Sequence, residues 1–566
     1  MRRLLVVACL FAACGKAAPE HPNVLVITID TLRPDALGAG TPAINAFFGE
    51  ATRFPSARTV APLTLPAHTS IFTGLYPSTH GIHDNVTEPL PPRDRRGFPL
   101  LAEQFKDAGY ATAAFASRPV VAASTGISAG FDLYDCPENE GTWQDEGGYI
   151  PADERIRAAL AWMEGAPRGR PWFVWVHFFD PHAPYRAFPG DAKRSPTRDS
   201  DSPNARYAGE VRRVDASFEK LLEEVGPDTV VVLSSDHGES LGEHEEPTHG
   251  PLCYGATIDT VLAVRGGGFG KGVEGEGLRS VMDVAPTLRR ICGLPGVQTD
   301  GMDLAGPGHD TLVAESLFTW AIHGWGQCFG VTDGASSLVE GGSSVELFDR
   351  REDPGETRPL PFTHPAYEKL DRALERFRSK SWTSGEELMA SVPPYGELRR
   401  HASGYLSRHE NGKLRSPRAY LKYWAALEGV PAVIKMCCER RDATPLPTAL
   451  RTLDGIQQAI PESPRVDHYR AGVLAAIADI DGVPARYGEA AWAELAAIEK
   501  GYIQDQTILP VVSYCVAAPE PEALRTLLKL LRRSGRKPTP EAEKAIAEAM
   551  RKLGVSESDP EGIPLR

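Results

Sequence analysis

The sequence has neither regular cysteine spacing nor a long apolar run, two features that mark common protein classes. Its nine cysteines are scattered over 566 residues, and no pair shows the CxxC spacing of a zinc knuckle. Seven lie beyond the first twenty residues, an odd number that indicates no disulfide framework. No apolar run reaches the roughly twenty residues of a membrane-spanning helix. These absences argue against a zinc-knuckle protein, a disulfide-stapled protein and a multispan membrane protein.

Positive charge is also scarce, since the formal net charge is -14 at pH 7. A non-specific nucleic-acid binder needs a basic face to offset phosphate charge, so we expect no nucleic-acid partner. A small anionic substrate stays open, because a few local cations or a metal ion decide its binding. With 42% hydrophobic residues the chain can bury a sizeable core, and its length predicts one large domain plus something smaller.

The first residues, MRRLLVVACLFAACG, are typical of an export signal. Small residues before Cys14 resemble a bacterial lipoprotein signal, in which that cysteine becomes the lipidated first residue. We therefore expect residues 1–14 to be a signal peptide. The protein would be an exported envelope lipoprotein, facing the periplasm or the surface, and bound to the membrane through its lipid anchor only. A periplasmic protein with an ordinary cleaved signal is the alternative.

From residue 22 to about residue 360, β-type runs alternate with amphipathic helical segments. The runs NVLVITI, WFVWVHFF and TVVVL are continuously apolar, as in strands buried on both faces of a parallel sheet. This pattern predicts an α/β fold with helices on both faces of a mostly parallel central sheet. Ligand sites of open α/β sheets lie beyond the carboxyl ends of the strands. The polar residues that follow the three runs should therefore converge: Asp30, Asp180, His182, Asp236 and His237.

The C-terminal part, residues 415–566, is helical throughout in pattern. Segments such as 523–532 and 541–553 carry apolar residues at three- and four-residue spacings, and Thr539-Pro540 is typical of a helix start. No period establishes a repeat family. We expect an all-helical domain of unknown role, which packs or binds a protein partner and carries no chemistry.

Three of the residues at strand ends are suited to bind a metal. Asp30, Asp236 and His237 supply carboxylates and an imidazole, the ligands that Zn²⁺ and similar divalent ions take in proteins. A single aspartate after a strand is more often a helix cap than a metal ligand. Three strands that are each followed by such polar residues are better evidence for a metal site. A threonine hydroxyl directed at such an ion loses its proton more easily and becomes a nucleophile.

The motifs resemble the sulfatase family of the alkaline phosphatase superfamily over residues 22–406. The stretches that carry the resemblance are NVLVITIDTLRPDALG at 23–38, TLPAHTSIFTGLYPSTHGIHDN at 64–85, FFDPHAPY at 178–185, SSDHGESLGEHEEPTHG at 234–250, DVAPTLRRICGLP at 283–295 and ELFDRREDPGET at 346–357. The resemblance implies a sulfatase-like α/β fold and a metal held by Asp30, Asp236, His237 and the nucleophile. It also implies acid/base or anion-binding roles for His182 and His249.

The nucleophile position departs from the sulfatase pattern. Sulfatases have Cys or Ser in C/S-x-P-x-R, which is oxidised to formylglycine, whereas this chain has Thr64-Leu65-Pro66-Ala67-His68. Threonine is not a substrate for that oxidation. Thr31 stands where many sulfatases have a second acidic residue. Hydrolysis of sulfate by the formylglycine route is therefore not expected, and a simple helix cap is the alternative for Thr64.

The same substitutions resemble nucleotide pyrophosphatase/phosphodiesterases and phosphoethanolamine transferases, which use threonine to attack phosphorus. The resemblance implies that Asn85 helps hold a phosphoryl oxygen. It also implies a second metal at Asp180, His182 and His249. Zinc is the first expectation for the metal, with calcium, manganese or magnesium as alternatives.

The expected function is therefore metal-dependent hydrolysis of a small anionic sulfate or phosphate ester, with phosphate favoured. A phosphoethanolamine-like transferase of the envelope and a non-catalytic binding lipoprotein are the alternatives. Arg33 and Arg118 could bind an anion or form surface salt bridges. Three histidines are left outside the site: His68, His80 and His83. His244 could join a metal site, or it could be a lone histidine of an acidic surface loop.

Overall fold

A computed structural model describes most of the protein. The described residues are 21–85, 89–138, 148–167, 169–186, 203–323, 325–391, 415–461, 463–500, 505–534 and 538–556. The predicted signal peptide, with Cys14, lies outside them, and so does the junction between the two predicted domains. The boundaries 22–406 and 415–566 stay predictions.

An eight-stranded sheet forms the centre of the α/β region. Its order is β5-β4-β6-β1-β7-β8-β2-β9, and β1 pairs in parallel with both β6 and β7. Only β8 runs antiparallel to its neighbours β7 and β2. The expected mostly parallel central sheet is thereby confirmed. The strands are β1 Val24–Ile29, β2 Thr52–Arg53, β4 Ala111–Ala116, β5 Leu133–Asp135, β6 Trp172–Phe178, β7 Val230–Ser235, β8 Leu262–Arg265 and β9 Val273–Glu274.

Helices cover both faces of this sheet. Alternate residues of β1 enter opposite cores, with Val24 and Val26 in one and Leu25 and Ile27 in the other, as the two-residue repeat of a strand requires. Every residue of β1 is buried, which explains its continuous apolar run. The helices of the α/β region are Pro42–Glu50, Thr64–Thr73, Pro77–His80, Arg93–Arg96, Leu101–Asp107, Ala152–Gly165, Pro203–Glu224, Gly255–Ile258, Val284–Ile291, Phe318–His323 and Pro365–Ser391.

A second, four-stranded antiparallel sheet follows in sequence, in the order β11-β12-β13-β14. A further pair, β3 with β10, is parallel. The helix Pro365–Ser391 packs against the four-stranded sheet through Leu370 and Leu374. The strands are β3 Ala57–Arg58, β10 Arg279–Ser280, β11 Leu312–Ser316, β12 Cys328–Thr332, β13 Ser336–Gly341 and β14 Ser344–Asp349.

The predicted helical C-terminal region is confirmed. Its first helix contributes Leu421 and Trp424 to a core shared with Leu252 and Tyr254 of the α/β region. No helix among the described residues combines the length and the apolar character needed to cross a membrane. The helices of this region are Leu421–Glu428, Val430–Arg440, Leu446–Ala459, Pro464–Asp481, Ala485–Glu499, Asp505–Ala517, Pro521–Ser534 and Pro540–Leu553.

Candidate active site

The carboxyl ends of β1 and β7 bring three predicted metal ligands together. Ile29 and Ser235 are register partners, so Asp30 and Asp236 leave the sheet side by side. Nε2 of His237 lies 3.6 Å from Oδ1 of Asp30 and 3.5 Å from Oδ2 of Asp236. All three side chains are fully buried. The strand order thus assembles residues that are about 200 positions apart in sequence.

Hydrogen bonds to the backbone orient two of these ligands. Oδ1 of Asp236 accepts the N–H groups of Thr31 and His237, at 3.2 and 2.8 Å. Nδ1 of His237 donates to the carbonyl of Gly238 at 2.8 Å, which leaves its Nε2 facing the carboxylates. Thr31 has φ 56°, a strained value for a β-branched residue, and this conformation aims its N–H at Asp236.

A divalent cation fits this group. Oδ1 of Asp30 and Oδ2 of Asp236 are buried and have no hydrogen-bond partner among the described residues. Buried polar atoms without a partner are costly, and two carboxylates with one imidazole are a standard ligand set for zinc. Potential ligand atoms of Asp30, Asp236 and His237 all lie within 4.8 Å of one another.

The pKa shifts of these three residues also favour a bound cation. Burial raises the pKa of both aspartates, and for Asp236 the nearby charge of Asp30 raises it further. Burial alone would lower the pKa of His237, but the two carboxylates outweigh it and raise that pKa. Two carboxylates this close repel each other in a dry environment, and a bound cation relieves the repulsion.

Thr64 is directed at this group. Its Oγ1 lies 3.5 Å from Oδ2 of Asp30 and 3.5 Å from Nε2 of His237, and the side chain is buried. The helix begins at Thr64 with Leu63 as its N-cap, and no cap hydrogen bond from a side chain forms. The alternative that Thr64 is merely a helix cap is therefore wrong.

Asn85 closes the turn at the start of the same helix. Its Oδ1 accepts the backbone N–H of Leu65 at 2.9 Å. This bond places the carboxamide beside Thr64, and its nitrogen is the end that can donate to a ligand oxygen. The geometry agrees with the predicted position of Asn85, while its role stays a prediction.

His182 and His249 form a row of imidazoles with His237. The ring centroids of His182 and His249 are 4.9 Å apart, and those of His237 and His249 are 4.5 Å apart. Burial lowers the pKa of both outer histidines, that of His182 to about 3. Nδ1 of His249 is hydrogen-bonded to Oε1 of Glu239 at 2.9 Å. The pair lies beside the metal-ligand group as predicted.

Asp180 does not join this row, contrary to the predicted second metal site. One carboxylate oxygen accepts the hydroxyl of Tyr149 and the other accepts the N–H of Ala152 at 3.2 Å. Ala152 begins a helix, where a carboxylate is favoured by the exposed N–H groups. Asp180 therefore anchors a helix, and its group with His182 and His249 is not formed in this structure.

Three buried residues at the site were not predicted from the sequence. Glu239 is fully buried, and burial raises its pKa to about 8. His68 lies 3.5 Å from Oδ2 of Asp236, and His177 lies 3.6 Å from Oδ2 of Asp30. The available signals were the glutamate directly after Asp-His-Gly, the histidine one turn after Thr64, and an imidazole within the apolar run of β6.

The other residues that were weighed lie in structural roles. His80 bonds Ser70 and His83 bonds Glu315, at 3.0 and 2.8 Å, and His244 stacks on a tyrosine. Arg33 pairs with Asp35 and Glu243, so its salt-bridge interpretation is confirmed. Arg118 is buried and lies over the ring of Phe179.

Comparisons with known proteins find sulfatases and other hydrolases. The sulfatase family model matches residues 22–294. An endo-4-O-sulfatase of Bacteroides thetaiotaomicron is 26% identical over 50% of this chain and 73% of its own length. Ectonucleotide pyrophosphatase/phosphodiesterase family member 1 of Rattus norvegicus is 31% identical over 29% of this chain, but over only 18% of its own length.

The solved structures show the same fold. A phosphonate monoester hydrolase of Agrobacterium radiobacter superposes with a TM-score of 0.53 at 20% identity. The match covers 64% of this chain and 96% of that protein. Residues 22–294 thus match the sulfatase family model, and the solved structures share the α/β fold of this region.

Proposed function

We propose that this protein hydrolyses phosphate esters and that Thr64 forms the covalent intermediate. The observation that carries the proposal is the position of the Thr64 hydroxyl, 3.5 Å from both Asp30 and His237 at the start of a helix. A hydroxyl in that position can attack an ester directly, whereas the formylglycine route needs a cysteine or serine. The local likeness to a nucleotide pyrophosphatase/phosphodiesterase favours phosphorus.

The residues present can carry out the reaction. A divalent ion bound by Asp30, Asp236, His237 and Thr64 would supply Lewis acidity that lowers the pKa of the threonine hydroxyl. Oγ1 of Thr64 then forms a bond to phosphorus while the bond to the leaving alkoxide breaks. The proton of Thr64 is taken up by an imidazole and returned to that alkoxide. Water attacks the phosphothreonine, restores the hydroxyl and releases the phosphate group.

His249 suits the proton transfer. Its Nδ1 is held by Glu239, so Nε2 is presented towards His237 and the ester site. The hydrogen bond to Glu239 fixes the orientation of the imidazole that carries the extra proton. His182 stands next to it with Nδ1 against the carbonyl of Ala183, which fixes the orientation of that ring. Asn85 donates to a non-bridging oxygen as charge develops there.

Sulfate esters are the second candidate substrate, favoured by the likeness to an endo-4-O-sulfatase. The test assays purified protein with nitrophenyl sulfate, a phosphate monoester and a phosphodiester, each with Zn²⁺, Mn²⁺, Mg²⁺ or Ca²⁺. Thr64→Ala should lose at least about 1000-fold in kcat, whereas Thr64→Ser should retain measurable activity.

The covalent intermediate separates the candidates. After acid quench during turnover, mass spectrometry should find the adduct on the peptide that contains Thr64, and accurate mass separates phosphate from sulfate. Transfer of the group to added alcohol in place of water would indicate a transferase. Activity that survives Thr64→Ala would exclude the proposed nucleophile.

We further infer that the protein is exported and anchored through a lipid on Cys14. The support is the N-terminal sequence, with its small residues before this cysteine. Metabolic labelling with a fatty acid and membrane fractionation test the proposal. Cys14→Ala should abolish the label and release the protein from the membrane fraction; a membrane-bound, unlabelled wild type would contradict it.

A further inference from the structure

A layer of fully buried imidazoles lies directly behind the metal-ligand group. Nδ1 of His68 is 3.5 Å from Oδ2 of Asp236, and Nε2 of His177 is 3.6 Å from Oδ2 of Asp30. Neither ring nitrogen of His177 has a hydrogen-bond partner among the described residues. Each of the two metal carboxylates thus has a histidine on its protein side.

The hydrogen bonds of His68 define which of its nitrogens carries the proton. Nδ1 lies 2.8 Å from the carbonyl oxygen of Thr64, one turn earlier in the helix. A carbonyl only accepts, so Nδ1 must be the N–H. Nε2 faces the hydroxyl of Thr28, and the donors around that hydroxyl decide whether this nitrogen accepts a hydrogen bond.

A chain of donors from the sheet secures that tautomer. Nε1 of Trp175 donates to Oγ1 of Thr28 at 2.9 Å, and an indole nitrogen can only donate. The same hydroxyl lies 2.9 Å from Nε2 of His68. Its single proton is therefore free to go to that nitrogen. The chain runs from Trp175 through Thr28 to His68 and ends at the carbonyl of Thr64, and Oδ2 of Asp236 lies 3.5 Å from the same Nδ1.

We propose that His68 is a positioning residue that holds the nucleophile Thr64 and the metal ligand Asp236 in one fixed arrangement, with its tautomer set by Thr28 and Trp175. The proposal rests on the proposed role of Thr64. Without the Thr28 hydroxyl, the opposite tautomer of His68 becomes accessible. The Nδ1 lone pair would then face the carbonyl of Thr64, and that end of the helix would move away from Asp236.

This arrangement also decides against a competing interpretation. Ligand atoms of His68, His177 and Asp236 lie within 4.8 Å of one another, as in a second metal site. However, Nδ1 of His68 is used as a donor to a carbonyl and Nε2 as an acceptor from a hydroxyl. Nδ1 then has no lone pair, and the lone pair of Nε2 is occupied by the hydroxyl of Thr28. His68 therefore orients a ligand and is not itself one.

The main experiment compares Thr28→Val with Thr28→Ser. Valine has nearly the shape of threonine without the hydroxyl, and serine restores the hydroxyl. Thr28→Val should weaken divalent-metal affinity about 10- to 100-fold, the usual effect of losing an outer-shell partner, and lower kcat with little change in KM. Thr28→Ser should stay within a few-fold of wild type in both. Equal metal affinities for the two variants and wild type would overturn the proposal.

A second measurement needs no mutation and no turnover. In ¹⁵N-histidine-labelled wild-type protein, nitrogen chemical shifts should show His68 protonated at Nδ1 and unprotonated at Nε2, both with and without Zn²⁺. A metal-bound signature at either nitrogen would mean that His68 is a ligand and would overturn the proposal. Because metal affinity and chemical shifts do not require hydrolysis, they decide it even if the protein proves inactive on every ester.

Discussion

The α/β region and the helical C-terminal region bury different kinds of side chain. At the candidate site the buried residues include carboxylates and imidazoles, and several of their polar atoms have no hydrogen-bond partner among the described residues. In the described part of the chain after residue 414, the buried polar residues are few: Ser463, Asp467, Glu494 and Thr507. The buried polar groups of the site therefore cost stability, whereas the C-terminal helices bury mainly apolar side chains.

The two regions nevertheless meet close to the site. Trp424 of the helical region lies 6.0 Å from the ring of Phe318. A Cβ on Gly250, the residue after His249, would come within contact of Phe318 and of Leu63, the residue before Thr64. The first helix of the C-terminal region therefore packs behind the segments that carry the nucleophile and an imidazole.

Substitution of a buried aspartate should have the largest difference in effect on activity between the two regions. Asp236→Asn keeps the oxygen that accepts the N–H of Thr31 but removes the charge that holds the metal. It should lower metal affinity and activity by at least about 100-fold, and it should stabilise the metal-free protein because one of two repelling carboxylates is gone. Chelator competition, turnover and thermal unfolding of the metal-free protein measure these effects.

Asp467→Asn is the matched control in the helical region. Asp467 is buried and pairs with Lys500 at 2.5 Å, so the substitution should cost stability and leave kcat and metal affinity unchanged. If Asp467→Asn lowered kcat as much as Asp236→Asn does, the contrast between a functional and a packing region would fail.

The next largest effect concerns the contact between the regions. Trp424→Ala should reduce the free energy of unfolding by about 3–5 kcal/mol and also lower kcat, because Phe318 loses support behind Gly250. Denaturant unfolding and turnover of the folded fraction measure both. Trp492→Ala removes a tryptophan that is 45% exposed and should change each by little. An unchanged kcat in Trp424→Ala would show that the helical region does not support the site.

A purely aliphatic core position gives the third prediction. Leu527 is fully buried. It packs in the hydrophobic cluster that also contains Leu495 and Val511. Leu527→Ala should cost about 2–5 kcal/mol of unfolding free energy through the cavity it leaves. Because this cluster is confined to the C-terminal helices, kcat of the folded protein should match wild type. A drop in kcat at full folding would contradict the comparison.

The smallest effect is a pH dependence of stability. Burial raises the pKa of Glu246 well above its ordinary value, so the folded protein holds this proton more tightly than the unfolded chain. Stability is therefore lost as pH rises above about 4.3 towards the raised pKa. Glu246→Gln keeps the acceptor for the N–H of Leu252 and should be more stable than wild type at pH 8, with no difference at pH 4.

Glu243→Gln is the control of opposite sign. Burial would raise the pKa of Glu243, but the guanidinium of Arg33 outweighs it and lowers that pKa. Its contribution is present above the ordinary pKa and is lost as pH falls, so the variant should be slightly less stable than wild type at pH 8. Unfolding curves from pH 4 to 9 compare the two variants, and parallel curves would contradict the assignment.

Much of the site could be read from the sequence because strand ends are visible there. The apolar runs locate β1, β6 and β7 to within two residues at each end, and the residues after β1 and β7 are the ones that meet. Asp180 shows the limit of this rule. It also follows a strand, but Tyr149 and Ala152 turn its carboxylate away from the imidazoles.

The sequence by itself determined the α/β architecture, the helical C-terminal region and the placement of Asp30, Asp236 and His237 at strand ends, because periodicity and strand-end position are local properties of the chain. Only the tertiary structure decided that His68 faces Asp236, that Glu239 is hydrogen-bonded to His249, and that Trp424 packs against Phe318. Those contacts depend on which side chains meet across strands and helices distant in sequence, and no local pattern encodes that.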